Sequence, residues 1–354
     1  MTAKRDAPEL AVLEQAGFEV LTAALLARTR VMAPVRRGRA SHAFEWISDP
    51  RQVALEYPRT ILPPKRAMLP YHEKLFDIHR GPTPHATTVL DHTSYVLLGI
   101  HPCDLFAVHE LDWAYLERHG NRDAHYAARR EAATIIGVEC LPDGYCFCTS
   151  LGLAGTRQGA DLFLTPAPAG YVVEVLTERG RGLLAEVASR APTPEERELW
   201  DRWPEEKERR TQLRLRGTLS DYPAYLDQRY YSDAWVETAQ RCYSCGTCTN
   251  TCPTCICFDV GDELGPDMET GERWRRYDSC QHLDFALVAG PHNFRPQRPD
   301  RVRHRWFRKF AWLHREFGVP FCVGCGRCTQ ECTANISWVD VLNTVAAEAL
   351  GEKA

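Results

Sequence analysis

Two runs of cysteine with the same spacing constrain this chain more than any other feature. Each run has the pattern C-x2-C-x2-C-x3-C, and the second begins 80 residues after the first. The eight cysteines are Cys242, Cys245, Cys248, Cys252, Cys322, Cys325, Cys328 and Cys332. Gaps of two residues let a tight loop direct successive sulfurs toward one centre, whereas the offset fourth cysteine reaches another. The pattern therefore predicts two metal centres that exchange one ligand each.

This spacing is typical of ferredoxins that carry two 4Fe-4S cubes. The predicted ligands of the first cluster are Cys242, Cys245, Cys248 and Cys332, and those of the second are Cys322, Cys325, Cys328 and Cys252. A zinc ion needs only four ligands, usually from two separated C-x2-C pairs, so zinc fits the pattern poorly. Disulfides fit it less well still, because a reducing compartment keeps thiols available for iron.

Length and charge bound the setting of the chain. Its 354 residues have room for two domains, and no apolar run approaches the roughly 20 residues that span a bilayer. No secretory segment occurs near Met1, so we expect a cytoplasmic protein without a membrane association, although a partner's signal could export the folded chain. The net charge of -4 gives no overall attraction to nucleic acid or anionic lipid.

Hydrophobic patterning divides the chain near residue 225. Residues 1–225 predict an α/β domain, with a helix over 10–28 and buried strands over 88–100 and 133–139 that lead to Cys103 and Cys140. Open α/β sheets place their chemistry at the carboxyl ends of strands. Residues 226–354 predict an α+β ferredoxin-like module with two clusters. This module carries an insertion at about residues 256–318, because 69 residues separate Cys252 from Cys322.

Four further cysteines lie in the predicted α/β domain. They are Cys103, Cys140, Cys146 and Cys148. Two of them follow predicted neighbouring strands, and the other two form a C-x-C turn, so they predict a third 4Fe-4S site with Asp104 or His101 as substitute ligands. The alternative is that these cysteines are small buried hydrophobic residues.

Three more cysteines lie in the insertion. They are Cys255, Cys257 and Cys280. The sequence offers this trio no obvious fourth partner, so a cluster here needs His282 or another chain to complete it. The same insertion holds a basic and aromatic stretch over residues 295–312, which predicts a solvated helix, a face beside a cluster or partner, or a nucleic-acid surface.

Motifs for small-molecule catalysis are absent from the sequence. There is no G-x-G-x-x-G after a strand, no G-x-x-x-x-G-K-[ST] and no G-x-S-x-G elbow. The sequence thus predicts an electron-transfer subunit of an oxidoreductase complex with no catalytic site of its own. A nucleic-acid enzyme with structural clusters is the alternative of another class, but the acidic net charge and the two cysteine runs argue against it.

Several longer strings resemble one protein family along nearly the whole chain. They include YPR at 57–59, LPPK at 62–65, HPCD at 101–104, IGVEC at 136–140, CFC at 146–148, CPTCICFD at 252–259, DSCQ at 278–281, FALVAG at 285–290 and HNFRP at 292–296. These strings resemble the iron-sulfur β subunit of cytoplasmic NAD(P)-linked nickel-iron hydrogenases of the sulfhydrogenase type. The same family includes the iron-sulfur A subunit of anaerobic sulfite reductase.

The resemblance implies a place in a complex of several subunits. A flavin and NAD(P)-binding subunit, together with the small and large subunits of a nickel-iron hydrogenase, are the implied partners, and this chain is the implied electron relay between them. If the family relationship is instead to the sulfite reductase, the electrons end at a sirohaem.

Overall fold

The computed structural model describes residues 8–39 and 41–352. Its strands are β1 Glu9–Glu14, β2 Arg30–Arg37, β3 Ser41–Ile47, β4 His72–His79, β5 His85–Thr88, β6 Tyr95–Ile100, β7 Ala133–Val138, β8 Leu162–Ala167, β9 Gly170–Val175, β10 Phe258–Leu264, β11 Thr270–Tyr277, β12 Leu287–Val288 and β13 His292–Asn293. Its α-helices are α1 Gln15–Arg28, α2 Pro102–Asp112, α3 Ala124–Ala132, α4 Glu178–Leu184, α5 Pro194–Arg210, α6 Tyr222–Gln228, α7 Asp233–Arg241, α8 Thr247–Asn250, α9 Arg298–Phe307, α10 Leu313–Phe317, α11 Arg327–Gln330 and α12 Trp338–Leu350.

A mixed sheet of seven strands forms the N-terminal core. Its strand order is β1-β9-β8-β7-β6-β2-β3. The central pairs β2·β6, β6·β7 and β7·β8 are parallel, and every residue of β6 is buried, as expected for a strand covered on both faces. Because β6 and β7 are neighbours with the same direction, the segments that follow them emerge at one edge of the sheet.

The first predicted helix begins later than its hydrophobic pattern suggested. Residues 9–14 form β1, which pairs antiparallel with β9 at the edge of the sheet, and the helix starts only at Gln15. Leu13 is buried in β1. An apolar residue at this position fits the periodicity of a strand as well as that of a helix, so the sequence could not decide between them.

A second sheet joins the two parts of the sequence. It has four strands in the order β10-β11-β4-β5, so a hairpin from the insertion pairs with strands from the N-terminal part. At its buried side, Glu73 of β4 forms ion pairs with Arg275 of β11 and Arg129 of α3. The division near residue 225 stays a prediction, but this sheet ties the segments on either side of it together.

The C-terminal helices pack around a core of aromatic side chains. Trp235 of α7, Trp306 of α9 and Trp338 of α12 are fully buried, and the rings of Trp306 and Trp338 lie 5.0 Å apart. The indole of Trp338 also donates to the carbonyl oxygen of Cys328 at 3.2 Å. This core therefore supports the second cysteine loop directly.

Candidate iron-sulfur sites

The first cavity gathers sulfurs from both cysteine runs. It is lined by Cys242, Cys245, Cys248 and Cys332. Cys242 and Cys245 come from the loop that joins α7 to α8, Cys248 lies in α8, and Cys332 comes from the segment that follows α11. These are the four residues that the spacing assigns to the first cluster, although their role as ligands stays a prediction.

The second cavity has the reciprocal composition. It is lined by Cys252, Cys322, Cys325 and Cys328. Phe147, Arg305 and Lys309 complete much of its wall. Each cavity thus receives three sulfurs from one run and one from the other, as the spacing predicts for clusters that exchange their fourth ligand.

Two glycines give the loops their matching shapes. Gly246 and Gly326 each precede a short helix, α8 and α11, with φ of +77° and +73°. Glycine adopts this left-handed conformation without the steric cost that a Cβ brings. The third cysteine of each run, Cys248 or Cys328, lies within the short helix that follows this turn. The fourth cysteine, Cys252 or Cys332, follows the helix and lines the other cavity.

The arrangement of these sulfurs does not suit a single metal ion. Within residues 8–39 and 41–352, no three His, Cys, Asp or Glu side chains form a group that could hold one metal ion. A cube spreads its ligand sulfurs over several irons, and each cavity receives four cysteines from two separate runs, as a cluster of this kind requires.

Buried cations surround the second cavity. Lys309 donates to the Thr254 hydroxyl at 2.6 Å and to the Phe321 carbonyl at 2.9 Å, and Lys65 donates to the Cys255 carbonyl at 2.6 Å. Arg305 donates to the Cys255 sulfur at 3.3 Å. Burial opposes the charged form of Lys309, but the Cys252, Cys255 and Cys322 sulfurs raise the pKa of Lys309. These contacts favour an anionic group at the sulfurs.

Burial raises the pKa of three of the eight thiols in the two cavities. It raises the pKa of Cys248 to about 12 and the pKa of Cys328 to about 11, although Arg305 opposes both shifts, and it also raises the pKa of Cys322. Iron binds the thiolate form, so iron binding at these three thiols releases protons.

The four N-terminal cysteines converge beside the second cavity. Burial raises the pKa of Cys140 to about 12, and Cys148 is near enough to raise it further. Burial also raises the pKa of Cys103 and Cys146, and nearby Cys140 and Cys325 add to both shifts. The structure thus brings together the residues predicted for a third site and places them next to Cys325.

The substitute ligands suggested by the sequence have other partners. Asp104 forms a two-point ion pair with Arg327, with both distances 2.8 Å and both side chains 1% exposed. The His101 ring stacks on Tyr57 at 3.9 Å, and its Nε2 atom is buried without a hydrogen-bond partner among the described residues. Asp104 therefore anchors the second cysteine loop to α2, and all four cysteines remain available at the third site.

A direct backbone contact links the C-x-C turn to the second run. The Phe147 amide donates to the Gly324 carbonyl at 2.8 Å, and Arg59 donates to the Cys325 carbonyl at 2.6 Å. Gly324 has φ of +63°, and a Cβ at this position would lie 2.6 Å from backbone atoms of Cys148. The third site and the second cavity therefore share one wall.

Replacing Gly324 by alanine should separate these two loops. The left-handed conformation costs alanine about 1 kcal/mol, and the overlap with Cys148 forces one loop to move, so we expect a loss of stability of roughly 2 kcal/mol or more. Gly318→Ala is the matched control, because Gly318 also has positive φ but faces open space. Anaerobic denaturant unfolding compares the two. Equal losses would show that the contact with Cys148 contributes nothing.

The trio in the insertion also comes together. The Asp278 amide donates to the Cys257 carbonyl at 3.1 Å, and the neighbouring Cys280 thiol, burial and Cys255 all raise the pKa of Cys257. His282 lies elsewhere: its Nδ1 pairs with Asp278 at 2.7 Å, and its Nε2 faces Gly246 in the first cysteine loop.

Sequence reasoning missed the cations that face the sulfurs. Arg59 and Arg327 are isolated basic residues in the sequence, Lys65 stands beside Arg66, and nothing local marks the three as buried. The sequence does contain one indication for the basic stretch. Arg301, Arg305 and Lys309 recur every four residues, a spacing that places them on one face of a helix. The structure buries all three.

The comparisons with known proteins agree with this arrangement. Residues 241–336 match the family model of a 4Fe-4S dicluster domain, so the chain carries such a domain at its C-terminal side. The chain is 37% identical to sulfhydrogenase 2 subunit beta of Pyrococcus furiosus over 316 residues, which cover 89% of this chain and 92% of that protein.

Two further findings concern solved structures and membrane-spanning helices. No solved structure matches the chain. In the part of the chain that the structure describes, no helix has the length and apolar character needed to cross a membrane.

The relative from Pyrococcus furiosus is similar to this chain over nearly the whole length of both proteins, and the dicluster domain contains both cysteine runs. The chain therefore belongs to the family of sulfhydrogenase beta subunits.

Proposed function

We propose that this chain relays electrons within a cytoplasmic nickel-iron hydrogenase complex. It takes them from, or gives them to, a flavin subunit that binds NAD(P), and its other neighbour is the hydrogenase or a terminal acceptor. One observation carries this proposal: two cavities, each lined by four cysteines, lie in a chain that is 37% identical to a sulfhydrogenase beta subunit. That relative favours the hydrogenase over the sulfite reductase alternative.

Two 4Fe-4S cubes supply the redox chemistry of the relay. The first is held by Cys242, Cys245, Cys248 and Cys332, and the second by Cys252, Cys322, Cys325 and Cys328. The buried cations beside the second cavity stabilise added negative charge, so they favour its reduced state. The protein contributes ligands, charge and exclusion of water, and no substrate needs to bind.

A third cube belongs to the N-terminal cysteines. Its ligands are Cys103, Cys140, Cys146 and Cys148, which converge at the carboxyl ends of β6 and β7 and in the adjacent C-x-C turn. The positive charges of Arg59 and Lys207 lie near these sulfurs. They offset part of the cost of burying negatively charged thiolates at Cys146 and Cys148. The shared wall at Gly324 then makes the second cube the neighbour of the third.

Exposure suggests where electrons enter or leave. Cys245 is exposed, whereas each of the other fourteen cysteines is buried or half-buried. Electron transfer weakens steeply with distance, so the cube beside Cys245 is the one that a partner approaches most closely. The relay therefore runs from the first cube through the second to the third, or in the reverse direction.

The assembled complex tests this function. Anaerobically purified complex should produce hydrogen both with NAD(P)H and with a reduced dye that delivers electrons directly to the hydrogenase subunits. With Cys325→Ala in this chain, we expect the NAD(P)H-linked rate to fall by at least tenfold while the dye-linked rate persists. Equal NAD(P)H-linked rates in the variant and the parent complex would contradict a relay through this chain.

Iron analysis tests the third cube separately. The two ferredoxin-type cubes and the third cube together account for about twelve irons, and Cys146→Ala should remove about four irons per chain. The loss should leave the spectrum of the two ferredoxin-type cubes in place, because their ligands are untouched. An unchanged iron and acid-labile sulfide content in Cys146→Ala would leave these four cysteines without a cluster.

A further inference from the structure

Three cysteines outside both runs lie within or near the CPTCIC segment at residues 252–257. Cys255 and Cys257 belong to that segment, and Cys280 follows β11, so the hairpin of the insertion brings its two ends together. Cys255 and Cys280 are buried, Cys257 is half-buried, and the Asp278 amide donates to the Cys257 carbonyl at 3.1 Å, which places Cys257 beside the segment that holds Cys280. Their convergence depends on a fold that places residues more than 20 positions apart in contact.

Hydrogen-bond donors are directed at these sulfurs. Gln281 Nε2 donates to the Cys280 sulfur at 3.4 Å, and the Thr249 hydroxyl lies 3.9 Å from the same atom. Arg305 donates to the Cys255 sulfur at 3.3 Å. Donors of this kind stabilise thiolates that bind iron and tune the potential of a cluster. Apolar packing alone would not require them.

The buried positive charges near these three cysteines have no carboxylate partner among the described residues. Lys65, Arg305 and Lys309 are buried, and among the described residues none has a carboxylate within 4.0 Å. The Nε atom of Arg305 is also buried without a hydrogen-bond partner. An oxidised cube with four thiolates carries about two negative charges, so in that state the second cube alone leaves one of these three cations uncompensated. Burying unpaired charge is costly, which points to a further anionic group here.

We propose that Cys255, Cys257 and Cys280 hold a further 4Fe-4S cube, whose fourth iron has no cysteine ligand. This inference rests on the proposed relay function and adds a branch beside the second cube. The other twelve cysteines line the two cavities or lie in the N-terminal quartet, which leaves three thiolates for this cube. An iron without a thiolate is the most easily lost, and that property distinguishes this cube from the others.

Mild oxidation of the anaerobically purified full chain tests the proposal. Ferricyanide should remove one electron and one ferrous ion from this cube, which leaves an oxidised 3Fe-4S cluster with a sharp electron paramagnetic resonance (EPR) signal. Cys257→Ala should abolish this signal and lower the iron content by about four. Cys146→Ala is the matched control, since it removes a different predicted cube and should keep the signal.

The outcomes separate this proposal from the relay function. If the wild-type chain gives no 3Fe-4S signal, or if Cys257→Ala keeps the signal and the iron, the trio holds no such cube. The relay function, by contrast, fails if Cys245→Ala and Cys325→Ala leave the iron content unchanged, or if Cys325→Ala leaves the NAD(P)H-linked rate of the complex unchanged. Should Cys257→Ala fail to fold, Cys280→Ser and the wild-type oxidation experiment decide the question.

Discussion

Cys245→Ala and Cys325→Ala should each remove one cube and leave a different EPR spectrum behind. Each of these two cubes is held by four thiolates, so the loss of one exposes an iron to solvent and destabilises the cluster. We expect a loss of about four irons per chain in each variant. The two variants serve as controls for each other, because they lie in loops of the same shape with opposite cluster assignments.

Cys332→Ala tests the exchange of ligands between the runs. Because Cys332 lines the cavity of Cys242, Cys245 and Cys248, its replacement should reproduce the spectrum of Cys245→Ala. If each run instead formed its own cube, Cys332→Ala would reproduce the spectrum of Cys325→Ala. Low-temperature EPR of the dithionite-reduced chains distinguishes these results without any activity measurement.

Lys309→Met should lower the reduction potential of the second cube by roughly 100 mV. A unit charge about 6 Å away in a medium with an effective dielectric constant near 20 is worth roughly 3 kcal/mol, which corresponds to roughly 100 mV for one electron. The positive charge stabilises the more negative reduced cluster, so its removal makes reduction harder. Methionine keeps most of the buried volume of lysine.

The control for this change is Lys74→Met. Lys74 lies on β4, is 39% exposed and pairs with Asp77, so solvent screens its charge. An EPR-monitored redox titration of both variants should show a shift for Lys309→Met only. Equal potentials in the two variants would mean that Lys309 is neutralised by another group or lies too far from the cluster.

The cysteine cavities were predictable because their information is local. Spacing within each run fixes which sulfurs share a loop, and the exchange of the fourth ligand follows from the same short pattern. The strands that lead to Cys103 and Cys140 were also predictable, because fully buried parallel strands read as continuous apolar runs. The structure makes these two strands neighbours, as the sequence suggested.

The second sheet could not be predicted in the same way. β4 has the sequence HEKLFDIH, whose charged residues weaken the strand pattern, and its partner β11 lies almost 200 residues away. Buried ion pairs between Glu73, Arg129 and Arg275 replace the apolar face on which sequence reasoning depends. The cations beside the second cavity were missed for a related reason, since their partners are sulfurs and carbonyls from distant loops.

A reductive titration of the isolated, anaerobically purified chain tests the central claim most directly. The chain should take up at least two electrons from dithionite, with the appearance of 4Fe-4S signals. Without its partners it should neither evolve hydrogen nor oxidise NAD(P)H. A chain that carries its full iron yet accepts no electrons, or one that binds stoichiometric flavin and oxidises NAD(P)H alone, would contradict the account.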